Sequence, residues 1–291
     1  MKLTHFRAVL VMVIVALMWS IAGVVTRQLE SARSFEVTFW RSFFTAVSLL
    51  VLLPAWQGRA VFTRIRQAAP ALWLSGVCWS VMFTAFMLAL TLTTVANVLV
   101  TLAIGPFLTA LVSRVVIGQR LLLRTWAAIA VAGVGIAWMY VGQADFSSQW
   151  AGTAVALAVP IAAACNWTVV QYSRAQGQLV DLVPAVLVGA VLSSMATLPW
   201  AFPLQATMHD IGLLAVLGVF QLAIPCVLAV MCAAVLKAPE VSLLALLEVI
   251  FGILLAWAGA GEVPGPNVLV GGLLVIFALV GNELMGWIKK T

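Results

Sequence analysis

The sequence predicts an all-α polytopic membrane protein: ten transmembrane helices in two inverted five-helix repeats, residues 1–145 and 146–291, with both termini cytoplasmic. Three observations lead there. Of its 291 residues, 64% are hydrophobic and 8% charged, with a mean hydropathy of +1.16, so an ordinary water-facing surface cannot be built. The apolar residues form continuous runs of the ~20 residues that a bilayer core of about 30 Å asks of one helix, without the two-residue alternation of an outer-membrane barrel. Finally, the stretch 94–121 returns 143 positions later as 237–264.

The first span, 8–26, follows Lys2 and Arg7, and its apolar run continues to about Val25, longer than a secretory signal core. It reads as an uncleaved helix. The second (37–56), third (69–91) and fourth (95–116) follow, the second carrying Arg41 and the fourth Asn97 and Pro106. The fifth, 123–141, is punctuated by Ala128, Ala132, Gly133 and Gly135, as the tenth, 266–287, is by Gly271, Gly272 and Gly281. Small residues at such places let helices approach closely, within one chain or between two chains of a homodimer. The polar stretch 142–150 separates the halves. Beyond it lie the sixth span (151–173, with Pro160, Asn166 and Trp167), the seventh (181–200), the eighth (211–235, with Gln221 and Pro225) and the ninth (240–259, with Glu248).

Orientation comes from Lys and Arg, which short loops retain on the cytoplasmic side. With the N-terminus inside, twelve of the fifteen basic residues fall in cytoplasmic segments, only Arg27 and Arg33 fall outside, and Arg41 lies within a span. The net charge of +6 is then a topological signature, with no nucleic-acid partner implied. Five spans per half force the second half to enter the membrane upside down. Two similar bundles of opposite orientation can exchange conformations, one open to each side, which is the basis of alternating access.

The repeat itself is weak in identity and clear in frame. Ala96-Asn97-Val98, Ile104-Gly105-Pro106-Phe107 and Gly118-Gln119-Arg120-Leu121 are answered by Pro239-Glu240-Val241, Leu247-Glu248-Val249-Ile250 and Gly261-Glu262-Val263-Pro264. Met18-Trp19-Ser20 similarly meets Asn166-Trp167-Thr168, at an offset of 148. These tracts resemble the drug/metabolite transporter superfamily, specifically EamA-type proteins of ten helices in two five-helix halves, and most resemble the YddG-type exporters of aromatic amino acids and methionine. The resemblance implies an inner-membrane exporter of small metabolites with no cofactor. Two positions depart from the family pattern: Gln119 stands where Glu is usual, and Val249 where Pro is usual.

Several intramembrane residues are candidates for the substrate path. Glu248 lies near the centre of the ninth span, where an unpaired charge costs about 2.5–3.5 kcal/mol on insertion scales. It is either a cavity acid for a substrate ammonium or a proton, or a protonated group bonded to a neighbouring helix. Arg41 offers a planar fork to a carboxylate, or snorkels to the interface with Glu36 nearby. Asn97, Asn166, Gln171 and Gln221 need partners that lipid does not offer, so each either binds ligand or joins helices. Pro106, Pro160 and Pro225 are hinges or fixed kinks. Of the twelve tryptophans, Trp56, Trp150, Trp200 and Trp287 suit the interfacial belt, whereas Trp19, Trp79 and Trp167 are deep enough to line a pocket for a ring or thioether.

Cys78, Cys165, Cys226 and Cys232 fall within spans without metal-ligand spacing and read as packing thiols. No phosphate-binding Gly-rich loop and no catalytic His, Asp or zinc motif is present, so gradient-driven transport is favoured over ATP use or an enzyme. The expected partners are the lipid bilayer and a small-molecule substrate, an amino acid or similar amphipathic metabolite. Drug export, a channel and a scaffold subunit stay open as alternatives.

Overall fold

The long apolar runs divide at one proline, widen before another, pass through three more uninterrupted, and in one place divide with none. The computed structural model describes residues 3–26, 28–32, 34–93, 95–139, 150–176, 181–260 and 265–288. Every regular element among them is helical: α1 (His5–Thr26), α2 (Ser34–Gln57), α3 (Val61–Arg66), α4 (Pro70–Leu92), α5 (Val95–Leu102), α6 (Gly105–Ile117), α7 (Leu123–Met139), α8 (Trp150–Ala175), α9 (Pro184–Ala201), α10 (Met208–Val216), α11 (Ile224–Ala233), α12 (Ala238–Ala245), α13 (Leu247–Ala260) and α14 (Pro266–Ile288). A π-helical segment, Leu217–Ala223, joins α10 to α11. Eight stretches of described helix are long and apolar enough to cross a membrane, and Leu123–Met139 and Pro266–Asn282 are shorter apolar helices. The chain is a multi-pass membrane protein.

Two spans expected to be single helices are broken. The fourth divides at Ala103 and Ile104, between α5 and α6, because Pro106 has no N–H and its ring crowds the carbonyl one turn earlier. The chain tightens there, Ile104 N–H donating three residues back to the Thr101 carbonyl at 3.2 Å. The ninth divides at Leu246, between α12 and α13, with no proline at the break. Here too the turn tightens: Leu246 N–H reaches Leu243 O at 3.2 Å, and Val249 N–H reaches Leu246 O at 3.1 Å. Ala103 and Leu246 are themselves 143 positions apart.

The eighth span widens instead. Pro225 sits in the first turn of α11 and cannot bond the carbonyl of Gln221, so the preceding turns open into the π segment and Ile224 N–H reaches back five residues to Val219 O. Pro160, by contrast, lies inside an uninterrupted α8, as the unanticipated Pro54 and Pro199 lie inside α2 and α9.

Helix packing joins elements far apart in the chain. Helix α1 packs on α11, α12 and α13, while α8 packs on α4, α5 and α6. Helices α2 and α9 pack on each other, as do α7 and α14. Glycines set the closest approaches: a methyl group on Gly135 would lie 2.7 Å from the Gly271 carbonyl, and one on Gly218 would lie 2.8 Å from the Arg41 carbonyl. The small residues of the fifth and tenth spans thus serve a contact within the chain, although nothing lies within 4 Å of a methyl group placed on Gly133 or Gly281. Trp56, Trp150 and Trp200 are exposed at helix ends, and the Trp287 side chain lies outside the described residues. All four cysteines are free thiols.

Two buried carboxylates tie the connections at the end of the bundle where α1 ends and α2 begins. Asp210, at the start of α10, accepts from the backbone N–H groups of Glu30, Ser31 and Ala32 at 2.8–3.1 Å and completes a capping box with Thr207. Glu36, in the first turn of α2, accepts in return from the backbone of Gln205 and Ala206 at 2.8–3.0 Å. The suggested pairing of Glu36 with Arg41 is therefore replaced by backbone donors.

Candidate functional site

The broken and widened helices converge on one cavity of about 150 Å³. One water needs about 10–15 Å³ on this measure, so the space is of small-molecule scale. Helix α4 supplies one wall through Trp79, Met82, Phe83 and Phe86, four residues on one helical face. Trp79 anchors that wall, its ring meeting Trp167 of α8 edge-on at 5.6 Å between centroids and Phe83 at 5.5 Å. Both helix breaks reach the lining, Leu102 and Gly105 from the first and Leu246, Glu248 and Val249 from the second. Gly105 and Glu248, matched positions of the repeated tract, thus face the same space.

The polar groups are few. Arg41 is 1% exposed, and its guanidinium donates to the Phe83 carbonyl at 3.1 Å, which replaces the snorkelling alternative with a buried cation. Its Nε has no hydrogen-bond partner. Glu248 is half-buried and has no hydrogen bond or ion pair with any described residue. Arg41 and Glu248 both line the cavity and form no salt bridge with each other. Gln221, carried by the π segment, donates weakly to the Trp19 carbonyl at 3.4 Å and leaves its amide oxygen unpartnered. The Trp79 indole N–H is likewise unpartnered.

Of the substrate-path candidates, Trp19, Arg41, Trp79, Trp167, Gln221 and Glu248 line this cavity, together with Pro160 among the prolines. Asn166 lies apart, fully buried between helices, with its carbonyl oxygen accepting from Ser75 at 2.6 Å. Asn97 lies on α5, and its side chain is outside the described residues. Pro106 and Pro225 shape the wall from behind without lining it. Gln171 joins helix ends, bonding the Gln119 side chain and the Ala238 backbone. Sequence reading missed Met82, Phe83, Phe86, Cys226 and Ser242 as lining. The spacing 79, 82, 83, 86 was a visible signal, but on a helix apolar all round a stripe does not announce which side is the pocket.

Comparison with known proteins agrees with this architecture. Residues 6–141 match the EamA-like transporter family. That EamA-like region runs from α1 through α7 and supports a membrane transporter acting on small molecules. A solved crystal structure superposes on 97% of this chain and 99% of its own with a TM-score of 0.80, at 16% identity, a likeness of fold. No curated protein matches the chain.

Proposed function

We propose that the chain is a secondary transporter that moves small metabolites, with aromatic amino acids and methionine as its leading cargo, by alternating access through the central cavity. In this reading ten spans form two inverted repeats, 1–145 and 146–291, with both termini cytoplasmic. The observation that carries it is the cavity's position between two helices broken 143 residues apart, each flanked by a long helix that packs on it: α8 on α5 and α6, α1 on α12 and α13. The family match, ending at residue 141, supports the same division.

Broken helices at mid-bundle suit a carrier, because backbone without its helical partners is tolerated at membrane depth only where protein or a cavity satisfies it. The tryptophan and phenylalanine wall offers an aromatic ring or thioether large apolar contact. The outward direction and the inner-membrane location rest on the resemblance to YddG-type exporters.

Counterflow of labelled substrate in proteoliposomes tests the carrier: saturable exchange is expected, and its absence for every amino acid tried sinks the reading in favour of a channel or scaffold. A competition panel of tryptophan, phenylalanine, methionine, threonine and a quaternary-ammonium drug tests the cargo. Competition by the drug alone overturns the amino-acid assignment.

A further inference from the structure

We propose that Arg41, Trp79, Gln221 and Glu248 form a two-ended frame that reads both charges of one zwitterionic ligand, so that neither an amine nor a carboxylate alone is accepted. This deepens the transporter reading and rests on it.

The cavity lining carries one basic and one acidic side chain that form no ion pair with each other. Each is incompletely satisfied: Arg41 has an unpartnered Nε, and Glu248 has no hydrogen-bond or ion partner among the described residues. Beside them are an unpartnered acceptor, the Gln221 amide oxygen, and an unpartnered donor, the Trp79 indole N–H. Arg41, Trp79 and Gln221 are 1%, 2% and 4% exposed. A buried polar group without a partner is unfavourable, and buried polar atoms are paired in the great majority of proteins. Three residues that line one cavity each carry such an atom, and a bound ligand is the partner this proposal assigns them.

The sign of each group assigns the ligand's ends. A carboxylate suits the guanidinium and the indole N–H, both donors. An ammonium suits the Glu248 carboxylate and the Gln221 oxygen, both acceptors. A ligand with only an ammonium neutralises Glu248 and removes its balancing effect on Arg41, leaving a buried cation with one hydrogen bond to a carbonyl. A ligand with only a carboxylate does the reverse. The α-amino acid zwitterion compensates both, and the aromatic wall of Trp79, Phe83 and Trp167 receives an apolar side chain.

Three ligands sharing one phenyl ring test the frame: phenylalanine, phenethylamine and 3-phenylpropionate. Thermal stabilisation of the detergent-purified chain reads binding, and proteoliposome counterflow reads transport. The expected result is half-maximal stabilisation by phenylalanine at a concentration at least tenfold lower than either single-charge analogue requires. In Glu248→Gln, 3-phenylpropionate should gain on phenylalanine by tenfold or more. In Arg41→Gln, or in Arg41→Met if the first variant does not fold, phenethylamine should gain.

Equal stabilisation by phenylalanine and phenethylamine, or variants that weaken all three ligands alike, overturns the frame while leaving the carrier intact if counterflow persists. Selective stabilisation by phenylalanine without counterflow supports the frame and removes the carrier. No stabilisation by any of the three overturns the frame.

Discussion

The side-chain amide of Gln171 donates to the amide oxygen of Gln119 at 2.8 Å. Its own oxygen accepts from the backbone N–H of Ala238 at 2.8 Å. One side chain near the C-terminal end of α8 thereby joins the loop after α6 to the start of α12. Close by in the chain, Glu240 of α12 accepts from its own N-cap residue Lys237 and meets His5 of α1 at 3.5 Å. The departure from the family pattern at Gln119 thus has a local partner, and the bond needs only an acceptor there.

Gln119→Glu should therefore fold and melt at or above the wild-type temperature, since a carboxylate accepts the same bond with charge assistance. Gln171→Ala should lower the melting temperature in detergent. Two hydrogen bonds of about 1 kcal/mol each are lost, and a domain of this size shifts by roughly 2–4 °C per kcal/mol. Thermal melts of the two variants side by side check this. A Gln171→Ala protein as stable as wild type would show the bridge to be incidental.

At the opposite end of the bundle, Asp210 satisfies three successive backbone donors of the loop between α1 and α2. Asp210→Asn substitutes an amide that keeps one acceptor oxygen and turns N–H groups toward N–H groups. Hydrogen bonds to a charged acceptor contribute about 1.5–3 kcal/mol each, so the expected loss exceeds that of Gln171→Ala. Limited proteolysis across residues 28–32 should accelerate in the variant, and an unchanged cleavage rate would count against the tie.

Much of this frame was legible in the chain itself. Apolar run length marked the helices, and depth alone made Trp19, Trp79, Trp167 and Glu248 candidates, all of which line the cavity. Other features were not legible, for physical reasons. The break at Leu246 has no proline to announce it. Asn166 and Gln221 look alike in sequence, yet one meets Ser75 across a helix contact while the other is carried to the cavity by a π segment. That difference depends on helix rotation, which a continuously apolar helix does not encode in its periodicity. Glu36 illustrates the same limit: proximity in sequence suggested Arg41, whereas its backbone donors lie about 170 residues away.

Gly135 and Gly271 face each other across α7 and α14, where an added methyl on Gly135 meets backbone at 2.7 Å. Backbone cannot swing aside as a flexible side chain can, so Gly135→Ala should push the helices apart and cost about 1–3 kcal/mol, as overpacking does. Gly281→Ala on the same α14 is the matched control, since nothing lies within 4 Å of its added methyl. Size-exclusion profiles and melts should separate the two variants. Equal behaviour would mean that the α7 to α14 contact is looser than this geometry.

Pro225 offers the sharpest separation of fold from function. It forces the turn before it open, and that turn carries Gln221 into the cavity. Pro225→Ala restores the missing N–H and permits α10 and α11 to close into one regular helix. Removing the extra residue of a π turn re-registers what precedes it by roughly 100°, one residue of an α-helix with 3.6 per turn. Gln221 then leaves the cavity wall. The expected outcome is a chain that inserts and purifies, with counterflow reduced at least tenfold. Gln221→Leu in the Pro225 background should reproduce the transport loss without any change in helix content. Full transport by Pro225→Ala would show that neither the π segment nor Gln221's position on the wall is needed for the cycle.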